Sequence, residues 1–463
     1  MLDLPSSLLT TIHNAKALTV STSDQSLTQK YLSFKRQQAQ KLLSGVNPKA
    51  QPAFLYDASF HKRTYSYLNK ISTSLRPSPV SSARTAEFPL PAFQAAFQFD
   101  SRLTDHEKQE IHQFTQVYFI STSDRKVPAP FTNPKGYYNG VKGDHLAYRY
   151  ELLELIGRGA YGLVYRCYDH RRKELVAVKV VRKQRPGDRP VSQERLTLEA
   201  LLGSDSEAAK YIVRLLASFT FREHLCLVFE LLHTNLYECL RASTNHRITS
   251  MTLLKRTTVQ VLKALRLVHR KKFVHADLKP ENIGVKKASS LRLKLLDFGS
   301  ALKIGTSGMN YIQSRFYRAP EIILGINYGP AVDIWSLGCI IVELWTGRPL
   351  FPGLSEHEMI ERFAFALGLP PSSVLNRATR KRRFFDEKLR LIPCTNKLRP
   401  SLGQMLREPE LYEFVRRLLD WDDERRLTAE EALRHPWLKQ EVRARGSLVS
   451  SHRMKPSLNQ TVM

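Results

Sequence analysis

What this sequence has little of narrows the field first. Its five cysteines, at 167, 226, 239, 339 and 394 of 463 residues, show no C-x-x-C pair and no framework spacing, which argues against disulfides and zinc. Cys226 and Cys339 stand in apolar surroundings, which suits buried thiols in a reducing compartment. No apolar run approaches the roughly 20 residues of a membrane-spanning helix. The opening MLDLPSSLLTTIH carries neither a basic n-region nor a long apolar core, so no secretory leader is expected. Leu2 occupies the position where N-myristoylation needs glycine. Acidic charge is scarce as well: 43 Asp and Glu face 71 Lys and Arg, a formal charge of +28. Such a field favours anionic partners, among them acidic proteins, filaments and nucleic acid, unless it is simply a solvated basic surface. What is present, 42% hydrophobic and 10% aromatic residues, is enough for a buried core.

One stretch organises the rest. Val-His-Ala-Asp-Leu-Lys-Pro-Glu-Asn-Ile at 274–283 is followed, after a short spacer, by Leu-Leu-Asp-Phe-Gly at 295–299. Two carboxylates and an amide stand at the spacing that phosphoryl transfer requires. Asp277 can accept the proton of an attacking hydroxyl, and Lys279 can neutralise charge on a γ-phosphate. Asn282 and Asp297 can hold magnesium ions that bridge the phosphates. An ordinary Asp-rich loop would need both motifs to co-occur by accident. Together they resemble the signature set of the eukaryotic protein kinases.

The chain divides into five stretches. Residues 1–85 read as a basic, Ser/Thr/Gln-rich arm with a patchy helical stripe at 29–45 and a linker-like RPSPVSSAR at 76–84. Residues 86–149 form an accessory region. In it LTDHEKQEIHQF (103–114) predicts a helix with Thr104 as N-cap and Glu107 three residues on, and VYFI (117–120) predicts a short strand. Taken alone the region is too short to fold with assurance. Residues 150–232 read as a small lobe and hinge, 233–440 as a larger lobe, and 441–463 as a basic tail.

Within the small lobe, ELLELIGRGAYGLVYRCYDH (151–170) predicts strand, glycine turn and strand. Gly157, Gly159 and Gly162 let backbone N–H groups approach phosphates where a Cβ would block them, with Tyr161 as a lid. Lys179, in VAVK, would bind the α- and β-phosphates and pair with a helix glutamate, either Glu194 or Glu199, of which Glu194 is preferred. Phe229 would stand as gatekeeper, and the backbone of Glu230, Leu231 and Leu232 would meet adenine. Ile156, Arg158, Ala160, Val164 and Ala177 complete the expected ATP-binding set. Further on, TLLKRTTVQVLKALRLVHR (252–270) has helical spacing, and AVDIWSLGCIIVELWTG (331–347) is a strongly apolar helix. Asp333 would bond backbone amides of the catalytic loop, and Arg426 would pair with Glu321.

Finer resemblance lies in NYIQSRFYRAPEIILG (310–325), HLCLVFELLHTNLYE (224–238) and DFGS (297–300), which look like the dual-specificity tyrosine-phosphorylation-regulated kinases, the DYRK family of the CMGC group. GDHLAYRYELLELIG (143–157) resembles the box preceding the catalytic domain there. LTDHEKQEIHQFTQVYFI (103–120) is similar to the accessory region that marks class 2 members. The chain departs from the family's Tyr-x-Tyr, since Met309-Asn310-Tyr311 keeps only the second tyrosine. SEHEMIER (355–362) echoes the neighbouring LAMMER kinases but lacks their central run.

The resemblance implies an α+β, bilobal kinase fold, with ATP and Mg2+ as cofactors. It implies one autophosphorylation in cis, on Tyr311, and later action on Ser and Thr near proline with arginine upstream. Ala276 stands where many kinases place a phosphate-clamping arginine, so Arg315 and Arg318 would hold a Tyr311 phosphate. Glu281 would receive the substrate arginine. Ser78, in Arg76-Pro77-Ser78-Pro79, matches the favoured local pattern and is expected to be modified by the enzyme itself. A monomer acting on protein substrates is expected, cytoplasmic, with nuclear or cytoskeleton-associated locations as alternatives. No membrane partner or specific nucleic acid is expected. Two rivals stand beside this reading. A pseudokinase scaffold predicts loss of Lys179, Asp277, Asn282 or Asp297, and none is lost. A nucleic-acid binder rests on RKRR (380–383), which lacks interleaved stacking aromatics.

Overall fold

The computed structural model describes residues 88–439, apart from 124–125, 127–128, 184–192, 204–206, 244, 288–290, 306–310 and 395–399. The helical stripe at 29–45, Ser78 and the basic tail lie outside the described residues.

The accessory region pairs β1 (Leu90–Pro91) with β2 (Gln116–Val117) and carries helices α1 (Ala92–Gln98) and α2 (Asp105–Glu110). α2 begins at the expected capping box: Glu107 N donates to Thr104 Oγ1 at 3.2 Å, and Thr104 N donates to Glu107 Oε2 at 2.9 Å. The strand at 117–120 is displaced. Pairing stops at Val117, because the N–H groups of Tyr118 and Phe119 donate instead to Tyr148 O at 2.9 and 3.0 Å. Tyr148 also fills the small core of this region, among Ala95, Leu103, Ile111 and Val117. Tyr148, near the end of the region and within the 143–157 box, thus completes the core begun by residues 92–120.

The small lobe is a six-stranded antiparallel sheet in the order β3-β4-β5-β6-β8-β7. Its strands are β3 (His145–Leu146), β4 (Tyr150–Gly159), β5 (Gly162–Asp169), β6 (Glu174–Val181), β7 (Leu215–Phe221) and β8 (His224–Glu230). Alternating side chains of β4, β5, β6 and β8, such as Leu152, Cys167, Val176, Val178 and Val228, bury one face. Helix α3 (Gln193–Leu202) buries Glu194, Thr197, Leu198 and Leu201, one face at helical spacing.

The large lobe is mostly helical. α4 (Met251–Arg270) and α5 (Ala331–Thr346) run through its core, and every residue of α5 from Val332 to Leu344 is buried. β9 (Thr234–Asn235) precedes α4, and between α4 and α5 lie β10 (Phe273–Val274), β11 (Ile283–Lys287), β12 (Arg292–Leu295) and β13 (Leu302–Lys303). β11 is the middle strand of the set β12-β11-β9, which carries the chain between the two halves of the catalytic motif. α6 (Glu356–Leu367) and α7 (Pro409–Leu418) pack further out. The architecture is α+β, a curled sheet followed by a helical lobe. All five cysteines are free thiols, with Cys167, Cys226 and Cys339 buried.

Candidate active site

β4 and β5 make a hairpin whose turn is Ala160-Tyr161, with Tyr161 half-exposed at the tip. Glycine is obligatory at its exit. Gly162 has φ +155°, and a Cβ there would run into Val180 O and lie 3.0 Å from Val181 Cα. Arg158 lies over the Tyr137 ring at 5.6 Å, and Tyr137 OH donates to Gly159 O at 3.1 Å, so the accessory region touches the glycine hairpin. Sequence reasoning missed Tyr137. Ile156 is half-exposed beside the hairpin. Val164 pairs with Lys179 across β5 and β6, and Ala177 pairs with Phe229 across β6 and β8. These registers bring the expected nucleotide residues onto adjoining strands.

Lys179 Nζ donates to Glu194 Oε2 at 2.7 Å and to Asp297 Oδ1 at 2.8 Å. Glu199 points elsewhere, to Arg195 at 2.9 Å on an exposed face. Burial alone would raise the Asp297 carboxyl, but the Lys179 ammonium beside it brings its pKa down to about 2. Asp297 takes φ 55° and ψ 77°, the left-handed region, which aims its carboxylate back toward Lys179. Phe298 is fully buried and meets the His275 ring edge-on at 5.0 Å.

The catalytic loop is fixed from below. Asp333, on α5, accepts from His275 N at 2.8 Å and Ala276 N at 3.0 Å, and pairs with His269 at 2.9 Å. Above it, Lys279 Nζ donates to Asp277 Oδ2 at 2.6 Å, and Asn282 Nδ2 donates to Asp277 O at 2.8 Å. Ser314 Oγ donates to Asp277 Oδ1 at 2.7 Å and accepts from Lys279 Nζ at 3.1 Å. Ser314 was not among the residues singled out from the sequence. Its only signal was its place in the activation segment, five residues before Ala319. Glu281 lies half-buried in the turn Pro280–Asn282, where its charge acts on Lys279 and on Glu343 of α5. Arg426 pairs with Glu321 at 2.7 Å.

The hinge side is built by side chains as well as backbone. Glu230 pairs with Lys286 at 2.7 Å and with Lys294, and accepts from Arg214 N at 3.0 Å. Phe229 is buried, while Leu231 and Leu232 are half-buried. Tyr311 is exposed, and the Arg318 guanidinium lies over its ring at 3.9 Å. Burial would raise the phenol's pKa, but hydrogen bonds and charge from Arg318 and Arg315 lower it below the usual value. Arg315 Nη1 donates to Leu354 O at 2.7 Å, and Arg318 lies 3.7 Å from Glu356. Arg380 and Arg383 of the RKRR run also pair with Glu356, so two of its four cations are bound into the fold.

The donor set fits a hard divalent cation with phosphate oxygens: a carboxylate at Asp297 and an amide at Asn282. The family model of the protein kinase domain matches residues 150–438. The chain is 39% identical over 368 residues to dual specificity tyrosine-phosphorylation-regulated kinase 4 of Homo sapiens, covering 76% of this chain and 71% of that protein. It is 37% identical over 393 residues to kinase 2 of that name from Drosophila melanogaster, covering 80% of this chain and 54% of the relative. With kinase 3 from Rattus norvegicus the identity is 37% over 403 residues, 80% of this chain and 67% of the other. The protein is thus a protein kinase, of a class that uses ATP and a divalent metal ion and acts on protein substrates. More narrowly, it belongs to the dual specificity tyrosine-phosphorylation-regulated kinase family. Among the described residues, no helix is long and apolar enough to cross a membrane.

Proposed function

We propose that this kinase transfers the γ-phosphoryl group of Mg·ATP to serine and threonine near proline and arginine, after a single autophosphorylation of Tyr311. The observation that carries the reading is the double constraint on the transfer machinery. Lys179 is held between Glu194 and Asp297, and Asp277 is held by Lys279 and Ser314. Asp277 orients the acceptor hydroxyl and takes its proton, while Lys279 stabilises charge on the transferring group. Glu194 keeps Lys179 extended toward the α- and β-phosphates. Asp297 and Asn282 would hold magnesium, which when bound neutralises the phosphates. Phe229, Leu231 and Leu232, with the hinge backbone, receive the base.

Arg315 and Arg318 flank Tyr311, which supports their role as cations for its phosphate. Glu281 serves as the acceptor for a substrate arginine, supported by its place one residue before Asn282. Class 2 membership rests on the accessory region, and Ser78 is proposed as a second site of self-modification. A cytoplasmic location remains part of the same proposal. The test is phosphate transfer to peptides that carry Arg-x-Ser-Pro, as at Arg76–Pro79, against peptides with Tyr in place of Ser or Ala in place of Arg. Transfer to the first should exceed transfer to the others. Equal rates on all three would contradict the specificity.

A further inference from the structure

Gly284 sits in the middle of β11, paired with Lys294 on one side and Asn235 on the other. A glycine inside a strand weakens it by about 0.5–1 kcal/mol relative to alanine and marks a close approach of other groups. Its backbone is not in the left-handed region, so conformation does not call for glycine here. Space does. A Cβ at Gly284 would fall inside the envelope of Leu232 Cδ1, and would lie 3.0 and 3.2 Å from Leu296 Cδ1 and Cδ2.

Those two leucines come from the two walls that matter for a nucleotide. Leu232 is in the hinge, three residues after Phe229, and Leu296 directly precedes Asp297. Gly284 itself is two residues past Asn282. Gly284 is buried, whereas Leu232 and Leu296 are each only half-buried, so both lie over the glycine and keep an exposed face.

We propose that Gly284 is a specificity-determining residue of the nucleotide site. Because it has no side chain, Leu232 and Leu296 settle onto β11 and form the apolar face against which a purine base lies flat. Any side chain at 284 would push aside the terminal methyls of Leu232 and Leu296, and with them the apolar face that the base meets. This rests on the kinase reading above and adds to it the residue that sets the depth of the base pocket.

The experiment is a double-mutant cycle on the full chain. Mg·ADP affinity is measured by calorimetry, KM and kcat for ATP by turnover, and melting temperature without nucleotide. Gly284→Ala should weaken Mg·ADP binding about tenfold, the cost of overpacking, and raise KM for ATP more than it lowers kcat. Leu232→Ala should weaken binding severalfold, since it removes part of the platform. In Leu232→Ala/Gly284→Ala the losses should not multiply, because the added methyl then occupies vacated space. Wild-type affinity in Gly284→Ala, or losses that multiply in the double variant, would overturn the proposal. A fall in melting temperature with affinity unchanged would do the same, since packing alone would then explain the glycine. Should Gly284→Ala fail to fold, Leu232→Ala decides: weakened Mg·ADP binding supports the platform, and unchanged binding rejects it. A wild-type protein that binds no Mg·ADP would defeat the kinase reading itself. A wild-type protein that binds and turns over, beside an unaffected Gly284→Ala, would defeat only this inference.

Discussion

Two of the clusters of charge in this molecule, one in the accessory region and one at the catalytic loop, are built on opposite plans. In the accessory cluster, Glu107 takes Lys126 at 2.6 Å, His145 at 3.0 Å and the Thr104 N–H at 2.9 Å. Glu110 takes Arg222 through both its Nε, at 3.0 Å, and its Nη2, at 2.9 Å, and also accepts from Tyr148 OH at 3.1 Å. Every oxygen of these two carboxylates has a donor, and their side chains are only 2% and 8% exposed. In the catalytic cluster the Asp297 side chain is 37% exposed and that of Lys279 23%, open to the cleft. A closed cluster fixes one arrangement. An open one keeps charge available for a ligand that arrives later.

The sharpest way to test this contrast is to remove one charge from each cluster. Asp277→Asn should lower turnover by about 10²–10⁴-fold, the usual worth of a positioned base, with little change in melting temperature. A large loss of stability instead would mean the catalytic cluster is also a folding device. Glu110→Gln should do the reverse. It removes the nearer, doubly bonded counter-charge from Arg222, packed 3.9 Å over the Phe131 ring, and leaves only Glu107 at 3.8 Å. Breaking such a pair costs about 3–5 kcal/mol, to be read in denaturant unfolding. If Glu110→Gln melts like wild type, the accessory region does not brace the small lobe.

A smaller effect sharpens the contrast inside the large lobe. Glu343 accepts from Tyr317 OH at 2.7 Å, and its burial raises its pKa to about 7, opposed by that hydrogen bond. A carboxyl whose folded pKa is raised binds more protons folded than unfolded, so stability falls as pH rises through that window. Between pH 4.5 and 7 the wild type should lose on the order of 2–3 kcal/mol from this group. Glu343→Gln should remove that slope. Parallel stability–pH curves for the two proteins would show that folding does not raise the pKa of Glu343.

The contrast also explains what could be read in the chain. Asp277, Asn282 and Asp297 lie within a stretch of 21 residues, and their roles depend on local spacing, so the motif predicts their grouping. Pairs such as Asp333 with the catalytic loop and Arg426 with Glu321 were reachable only through the family resemblance. The Thr104–Glu107 capping box was legible because it spans three residues. The second task of Glu107, holding His145, was not, since it joins residues 38 apart, and Arg222 reaches Glu110 from 112 residues away. Ser314 and Gly284 were missed for another reason. Neither residue type signals a function alone, and each matters through what stands opposite it in space.

The account's central claim is that the open cluster in this chain carries out the transfer that modifies Tyr311. Phosphosite occupancy at Tyr311, mapped by mass spectrometry on the full chain expressed in bacteria, tests it against Asp277→Asn made in the same way. The account predicts a phosphorylated Tyr311 in the wild type at any expression level, as an intramolecular reaction requires, and none in Asp277→Asn. Equal occupancy in both proteins, or an unmodified Tyr311 in a wild type that still phosphorylates Ser-Pro peptides, would contradict it.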